Sequence, residues 1–342
     1  GGGIYLAGSS VLAVNGGSIT NNTASSNGGG IYAAAGTTLN LVSGSISDNT
    51  ATGGNGGGVW TATGTTVDRI SITGNRADNG YGGGLYATGP AVVTVYGSIT
   101  LNSAANGGGI YADGASVTVT VNGGVVGGTG AADANTATYG GGVFLNNGAN
   151  LTLTGGLVTY NTATCGGGVA VGANSASTIT ATGASNIGYN TATRYGGGIY
   201  IGSGANANVT GATVSRNAVT LATNLGSGGP GGGGVYIAGG SKVTLTDVKV
   251  NHNTVTALSN KDGAGGGGIM IGLNGTGGEV TITGASEINS NVVTVGTGKA
   301  SGIHCGGGGI LMEGEKQMDA GSGECKYNES GEGRGVKVRG GL

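Results

Sequence analysis

Apolar residues recur along this chain in two arrangements, and neither has the 3.6-residue period of a helix. The first is a triple glycine followed by a branched aliphatic residue. It occurs eleven times, at Ile4, Ile31, Val59, Leu85, Ile110, Val143, Val169, Ile199, Val235, Ile269 and Ile310, with spacings of 25 to 41 residues. The second sets an aliphatic residue three before an Asn and Ala or Val two after it. Its copies are Ile19/Asn22/Ala24, Ile46/Asn49/Ala51, Ile72/Asn75/Ala77, Ile99/Asn102/Ala104, Val158/Asn161/Ala163, Ile187/Asn190/Ala192, Val214/Asn217/Val219, Val250/Asn253/Val255 and Ile288/Asn291/Val293. Asn135/Ala137 keeps half of this pattern but has lost the spacing through an insertion around 127–133. Between the two arrangements lie strictly alternating runs such as Val117-Thr118-Val119-Thr120-Val121 and Leu151-Thr152-Leu153-Thr154.

Each repeat therefore predicts three short strands separated by Gly-rich turns: the Gly-Gly-Ile-Tyr segment, the alternating run, and the Ile-x-x-Asn element. Strands this short gain stability only by stacking on copies of themselves. Parallel strands joined by crossovers take the right hand. The expected fold is all-β, a right-handed single-stranded parallel β-helix of about eleven to twelve three-strand coils. At a strand spacing of about 4.8 Å it would be a rod on the order of 50 Å long. The whole chain, 1–342, reads as one solenoid: regular short-turn coils over 1–218, coils with long loops over 219–305, and a charged final coil over 306–342.

Alternation assigns inside and outside. The residue after the triple glycine is always Ile, Val or Leu and belongs to the core. Its neighbour is mostly aromatic (Tyr5, Tyr32, Trp60, Tyr86, Tyr111, Phe144, Tyr200, Tyr236) and is expected to face out as a flat stripe, broken at Ala170, Met270 and Leu311.

Composition narrows the class. Gly supplies 85 of 342 residues, yet no Gly-X-Y period and only 2 Pro occur, which excludes collagen; 8% charged residues argue against a disordered linker. A net charge of −2 offers no footprint for nucleic acid, and no apolar run is long enough to cross a bilayer. The chain begins at Gly1-Gly2-Gly3 in mid-pattern, and Gly335-Val336-Lys337-Val338 reads as the start of another coil, so a piece of a longer protein is expected.

The paired signature resembles the polymorphic outer-membrane protein repeats and, more broadly, the β-helical adhesin-like proteins of bacterial and archaeal surfaces. Those repeats combine Gly-Gly-Ala-aliphatic with Phe-x-x-Asn; here the third small residue is Gly and Ile or Val replaces Phe. The resemblance covers nearly the whole chain. It implies the β-helix fold and an extracellular or cell-surface location, and it carries no catalytic residues.

Several features are candidates for function. Asn22, Asn49, Asn75, Asn102, Asn161, Asn190, Asn217, Asn253 and Asn291 should stack as a ladder, because an amide both donates and accepts and so can satisfy turn backbone from coil to coil. Asn also tolerates the left-handed conformation of a tight turn. The stacked aromatics, with Tyr32, Trp60, Tyr86 and Tyr111 as centre, could hold a glycan or a second rod. Thr pairs on the alternating strands (Thr118/Thr120, Thr152/Thr154, Thr180/Thr182, Thr244/Thr246, Thr281/Thr283) suggest an ice-binding face, although Leu12, Asn40 and Asp68 interrupt it in early coils. Links at 220–230, 256–264 and 294–305 are long, and loops on a rigid scaffold commonly bind; they carry Asn260, Lys261, Asp262, Lys299 and His304.

Charge follows the same axis. Residues 1–240 hold 4 Lys/Arg and 5 Asp/Glu, while 241–342 hold 9 and 10, so the last coil suits a cap or an assembly end. Of three cysteines, Cys305 and Cys325 could bridge and Cys165 would stay free.

The triple glycines lack the Lys-Ser/Thr of a phosphate loop and the Asp of calcium-binding nonapeptides. A glycan-cleaving β-helix needs paired carboxylates or a calcium-binding Asp cluster. The early acids are Asp48, Asp68, Asp78, Asp113 and Asp133, and only Asp48 and Asp78 come near a shared position; His252 and His304 lie a coil apart. The expectation is a non-enzymatic structural or adhesive rod without cofactor or metal, whose partner is its own kind or a surface glycan or protein. A polysaccharide-binding or polysaccharide-degrading β-helix protein is the alternative.

Overall fold

The computed structural model describes residues 1–221, 231–257, 265–272, 279–295, 308–312, 317–320 and 329–330. They form a right-handed parallel β-helix with three sheets running along its axis. Sheet 1 stacks eleven strands, each following a triple glycine; sheet 3 stacks eleven strands, each following an Asn; sheet 2 lies between them in the coil. One coil reads Val143–Asn146 in sheet 1, Asn150–Thr154 and Leu157–Thr159 in sheet 2, and Thr162–Cys165 in sheet 3.

This differs from the three-strand expectation in one respect. The aliphatic residue before the Asn does not start a third face. Its strand stays in sheet 2, and the chain turns just before the Asn to begin sheet 3 with the residue after it. In the first three coils the two sheet-2 strands are continuous, as Val11–Thr20, Thr38–Ser47 and Thr65–Thr73.

Alternation does sort the side chains. Ile31, Val59, Leu85, Ile110 and Val143 of sheet 1 meet Leu39, Leu41, Val93, Val95, Val119, Val121, Leu151 and Leu153 of sheet 2 in one continuous core. Each such side chain contributes about 1.5–3 kcal/mol when fully buried. In the later coils Ala gives way to valine in sheet 3. Val219, Val255 and Val293 pack with Ala192 and Ala257 as a separate buried cluster.

The triple glycine has two structural duties. Its first member turns the chain with a positive φ, as Gly28 does at +69°. Its last two members lie against neighbouring backbone: a Cβ on Gly30 would stand 2.7 Å from the Gly58 carbonyl oxygen of the next coil. Gly30, Gly58 and Gly84 also face the ladder Asn of their own coil, where an added Cβ would stand 3.0 Å from the side chains of Asn49, Asn75 and Asn102 respectively.

Candidate binding surfaces

The Asn ladder forms. From Asn49 to Asn291 its members are fully buried, and each amide serves three coils. The Asn75 Nδ2 donates backward to the Ile46 carbonyl at 2.8 Å and forward to the Asn102 Oδ1 at 3.0 Å; the Asn75 backbone N–H donates to the same oxygen at 2.9 Å. The pattern repeats through Asn102, Asn161, Asn190, Asn217 and Asn253. Asn135, which lost the sequence spacing, also occupies the ladder: it accepts from Asn102 and donates to Ile99 and Asn161. The insertion bulges out between Val126 and Asn135, carrying the 3-10 turn Ala131–Asp133, and leaves the register intact. The surviving Asn-x-Ala half was the signal for it.

The ladder residues are not the ones in the left-handed conformation. That falls on the preceding residue: Asn21, Asp48, Leu101, Tyr160, Tyr189, Arg216, His252 and Ser290 have φ of 52° to 60°, and Gly74 has 67°. The Asn side chains are occupied in the interior, so the residue before each one takes the corner.

The aromatic stripe runs on the outer side of sheet 1, but it is not a flat exposed surface. Tyr32 stacks on Trp60 with centroids 4.3 Å apart, and Tyr86, Tyr111 and Phe144 continue at 5.2 and 5.0 Å. Tyr86 and Tyr111 are only 7% and 4% accessible, against 64% for Tyr5. Their cover comes from the residue preceding the triple glycine. Tyr81 lies flat on Tyr111 at 4.8 Å, Tyr195 on Tyr236 at 4.3 Å, and Tyr139 tilts onto Tyr200 beside the gap at Ala170. Asp113 closes the margin, accepting from the Tyr86 hydroxyl at 2.8 Å and from Asn147 at 2.7 Å. The stripe is thus a second apolar ridge outside the solenoid core, and Tyr32 and Trp60 are half-buried members of it.

Burial pushes the phenols of Tyr86, Tyr111 and Tyr200 well above their ordinary range, and the negative charge of Asp113 reinforces this for the first two. Burial likewise pushes the Cys165 thiol, at the edge of the ridge, up to about 12 against the opposing pull of Arg194. Cys165 is free and buried.

Register re-sorts the threonines of sheet 2. Thr66, Thr94, Thr120, Thr152, Thr180, Thr210, Thr246 and Thr283 form one outward column over eight coils. Thr118, Thr244 and Thr281 belong to the column on one side of it, and Thr154 and Thr182 to the column on the other. The Thr-x-Thr pairs read from the sequence therefore do not build one two-column face.

The acids separate as well. Asp48 stands at the corner over Gly74, whereas Asp78 lies in sheet 3 and pairs with Arg76. Asp68 is on sheet 2, Asp113 at the ridge and Asp133 in the insertion. His252 is an exposed corner residue.

Two of the long links can be followed to their roots. Sheet 3 ends near Leu221 and at Ala257, and the chain resumes at Gly231 and Gly265; Gly231 bridges in parallel with Tyr195 on one side and with Gly265 on the other. The links 222–230, 258–264 and 296–305 themselves lie outside the described residues, as do Asn260, Lys261, Asp262, Lys299, His304, Cys305, Cys325 and the side chains of the charged final coil.

A family model described as "Right handed beta helix region" matches residues 2–183, more than half of the chain. The chain belongs to the right-handed β-helix family. No curated protein and no solved structure matches it. In this β-helix, no described helix is long and apolar enough to cross a membrane.

Proposed function

We propose that this β-helix is a non-enzymatic extracellular rod that holds a surface glycan or protein through one edge of its stack. The supporting observation is the union of a stiff axis with a laterally consistent edge. The Asn ladder runs unbroken from Asn22 to Asn291, so positions on successive coils keep their register even across the insertion at 127–133. On that axis the described residues at which the chain resumes, Gly231 and Gly265, stack on each other at one edge. The links before them vary in length while the scaffold does not, which is how binding loops sit on rigid frames.

The test is to shorten 222–230 and 258–264 to the two- to four-residue scale of the earlier coils, then measure retention on cell surfaces. Loss of retention with an unchanged β signal in circular dichroism is expected. Unchanged retention would overturn the reading. Electron microscopy of the native material separates a lone adhesive rod from a filament subunit: long fibres with an axial repeat near the rod length would move the function from attachment to assembly.

A further inference from the structure

Sheet 2 carries an outward array that neither the core nor the Asn ladder uses. Strand register assembles it from two straight columns. The first is Thr120, Thr152, Thr180, Thr210, Thr246 and Thr283. The second, two residues earlier in each strand, is Thr118, Asn150, Thr178, Asn208, Thr244 and Thr281. Asn150, Thr178 and Asn208 lie outside the pairs read from the sequence and enter only through register. No register shift interrupts these coils, whereas the first two coils pair with shifts at Val14 and Asn15. The residue between the columns points inward and anchors each pair, as buried Val119 and Leu151 do.

The polar groups of this array are mostly uncommitted. Thr246 and Thr283 share a hydrogen bond at 3.0 Å, and the Asn150 Oδ1 accepts from the Thr178 backbone N–H at 3.1 Å. The other side chains of the two columns have no protein hydrogen-bond partner among the described residues, and none of the array is buried. Further round sheet 2 the hydroxyls do pair, as Thr100 with Thr73 at 3.1 Å and Ser47 with Thr20 at 3.2 Å.

The array is also uncharged. Lys242 and Glu279, one column further out in its last two coils, neutralise each other at 3.3 Å. Such a face complements an uncharged partner. Thr is stiff at χ1, so its methyl and hydroxyl keep fixed places. The pairs repeat about 4.8 Å along the axis and about 6.7 Å along the strand, over about 24 Å of rod. Oxygen positions on the prism faces of ice repeat at comparable distances. Methyl groups give up their water at a gain, while hydroxyls and amides hold waters in place between them. A small ligand has no use for a repeat in two directions; a crystal face does.

We propose that the two columns of sheet 2 bind ice through waters ordered between them. The proposal is independent of the adhesive reading and uses a different face from the edge at Gly231 and Gly265.

The test uses the full chain in a nanolitre osmometer, with enrichment in slowly grown ice as a second measurement. Faceted crystals, a freezing point held below the melting point and enrichment in the ice are expected. Thr152→Lys and Thr180→Lys, at the centre of the array, should each lower enrichment about tenfold or more, because an ammonium would lose its water against an uncharged lattice. Both side chains point outward, so circular dichroism and the urea midpoint should stay near those of the parent. Thr138→Lys, the same change at an exposed position of sheet 3, should leave enrichment unchanged. Unshaped crystals without enrichment by the parent protein would overturn the proposal. So would equal loss in all three variants, or no loss in the first two. The protein with shortened links should still bind ice while losing cell-surface retention, and the two array variants should do the reverse, so each reading can fail alone.

Discussion

Gly58 and Asn75 fit each other across the interior of a single coil: a Cβ placed on Gly58 would stand 3.0 Å from the Asn75 side-chain amide. The same Cβ would lie 2.6 Å from the Gly84 carbonyl oxygen of the next coil. The two sequence signatures are therefore one device. The glycine leaves the room in which the amide stacks, and the amide satisfies backbone that the glycine's neighbours could not reach. Gly58→Ala should destabilise the rod by about 2 kcal/mol, because neither backbone nor a ladder amide can yield. A lowered urea midpoint, with faster amide exchange in the coils on either side, is the measurement; an unchanged midpoint would show that the coil can open to admit a methyl.

Asn135 offers a separate test of the ladder. Asn135→Ala would strand the Asn102 backbone and side-chain donors and the Ile99 carbonyl in the interior. With the Asn161 Oδ1, which loses its Asn135 donor, these four buried orphans cost about 3 kcal/mol or more. Asn208→Ala, on the exposed face of sheet 2, should change stability by less than about 0.5 kcal/mol. Comparable losses from the two variants would contradict a specific role for the buried amide.

The buried phenols link stability to pH. Tyr86, Tyr111 and Tyr200 ionise far less readily in the folded rod than in the unfolded chain, where the ordinary value is 10.0. The folded state then holds more protons above that pH, so their contribution is complete below it and declines as pH rises beyond it. Urea midpoints should hold steady through neutral pH and fall beyond pH ~10, with phenolate absorbance from the ridge arriving together with unfolding. A ridge that titrates while circular dichroism is unchanged would show open access to solvent.

Covering the aromatics also changes what a ridge mutation measures. Tyr86→Ser with Tyr111→Ser, a natural test of lateral packing between rods, would remove two buried rings. Each truncation costs about 3 kcal/mol or more, so the double variant probes folding before assembly. Tyr96→Ser, at a 48% accessible ring, is the neutral comparison, with an expected change below about 0.5 kcal/mol in thermal or urea unfolding.

Leu101 bears the corner's strain on an aliphatic side chain that is 50% accessible, at φ 60°. Leu101→Asn should stabilise the rod, by up to about 1 kcal/mol, since Asn adopts this conformation at lower cost. A lower unfolding midpoint would mean that Leu101 contributes packing that outweighs its backbone strain.

The repeat makes the coil legible because a solenoid copies one local solution: Gly-Gly-Gly-Ile and Ile-x-x-Asn each recur with their neighbours, so alternation alone separates Ile31 and Val59 from the residues beside them. Asn135 is half legible, since an insertion breaks spacing along the chain without breaking register across it. The aromatic stripe misleads for a physical reason. Alternation tells which side of a strand a residue takes, but not whether another segment covers that side; Tyr81 and Tyr195 are remote in sequence from the rings they cover. The outward array of sheet 2 is also half legible: Thr-x-Thr recurs along the chain, but Asn150 and Asn208 join its columns only through register between coils. Local chemistry thus determined the strand pattern, the core and most of the Asn ladder. Tertiary stacking decided which outward residues are buried, which amide joins the ladder across the insertion, and which residues of sheet 2 align into outward columns, since each depends on contacts between coils.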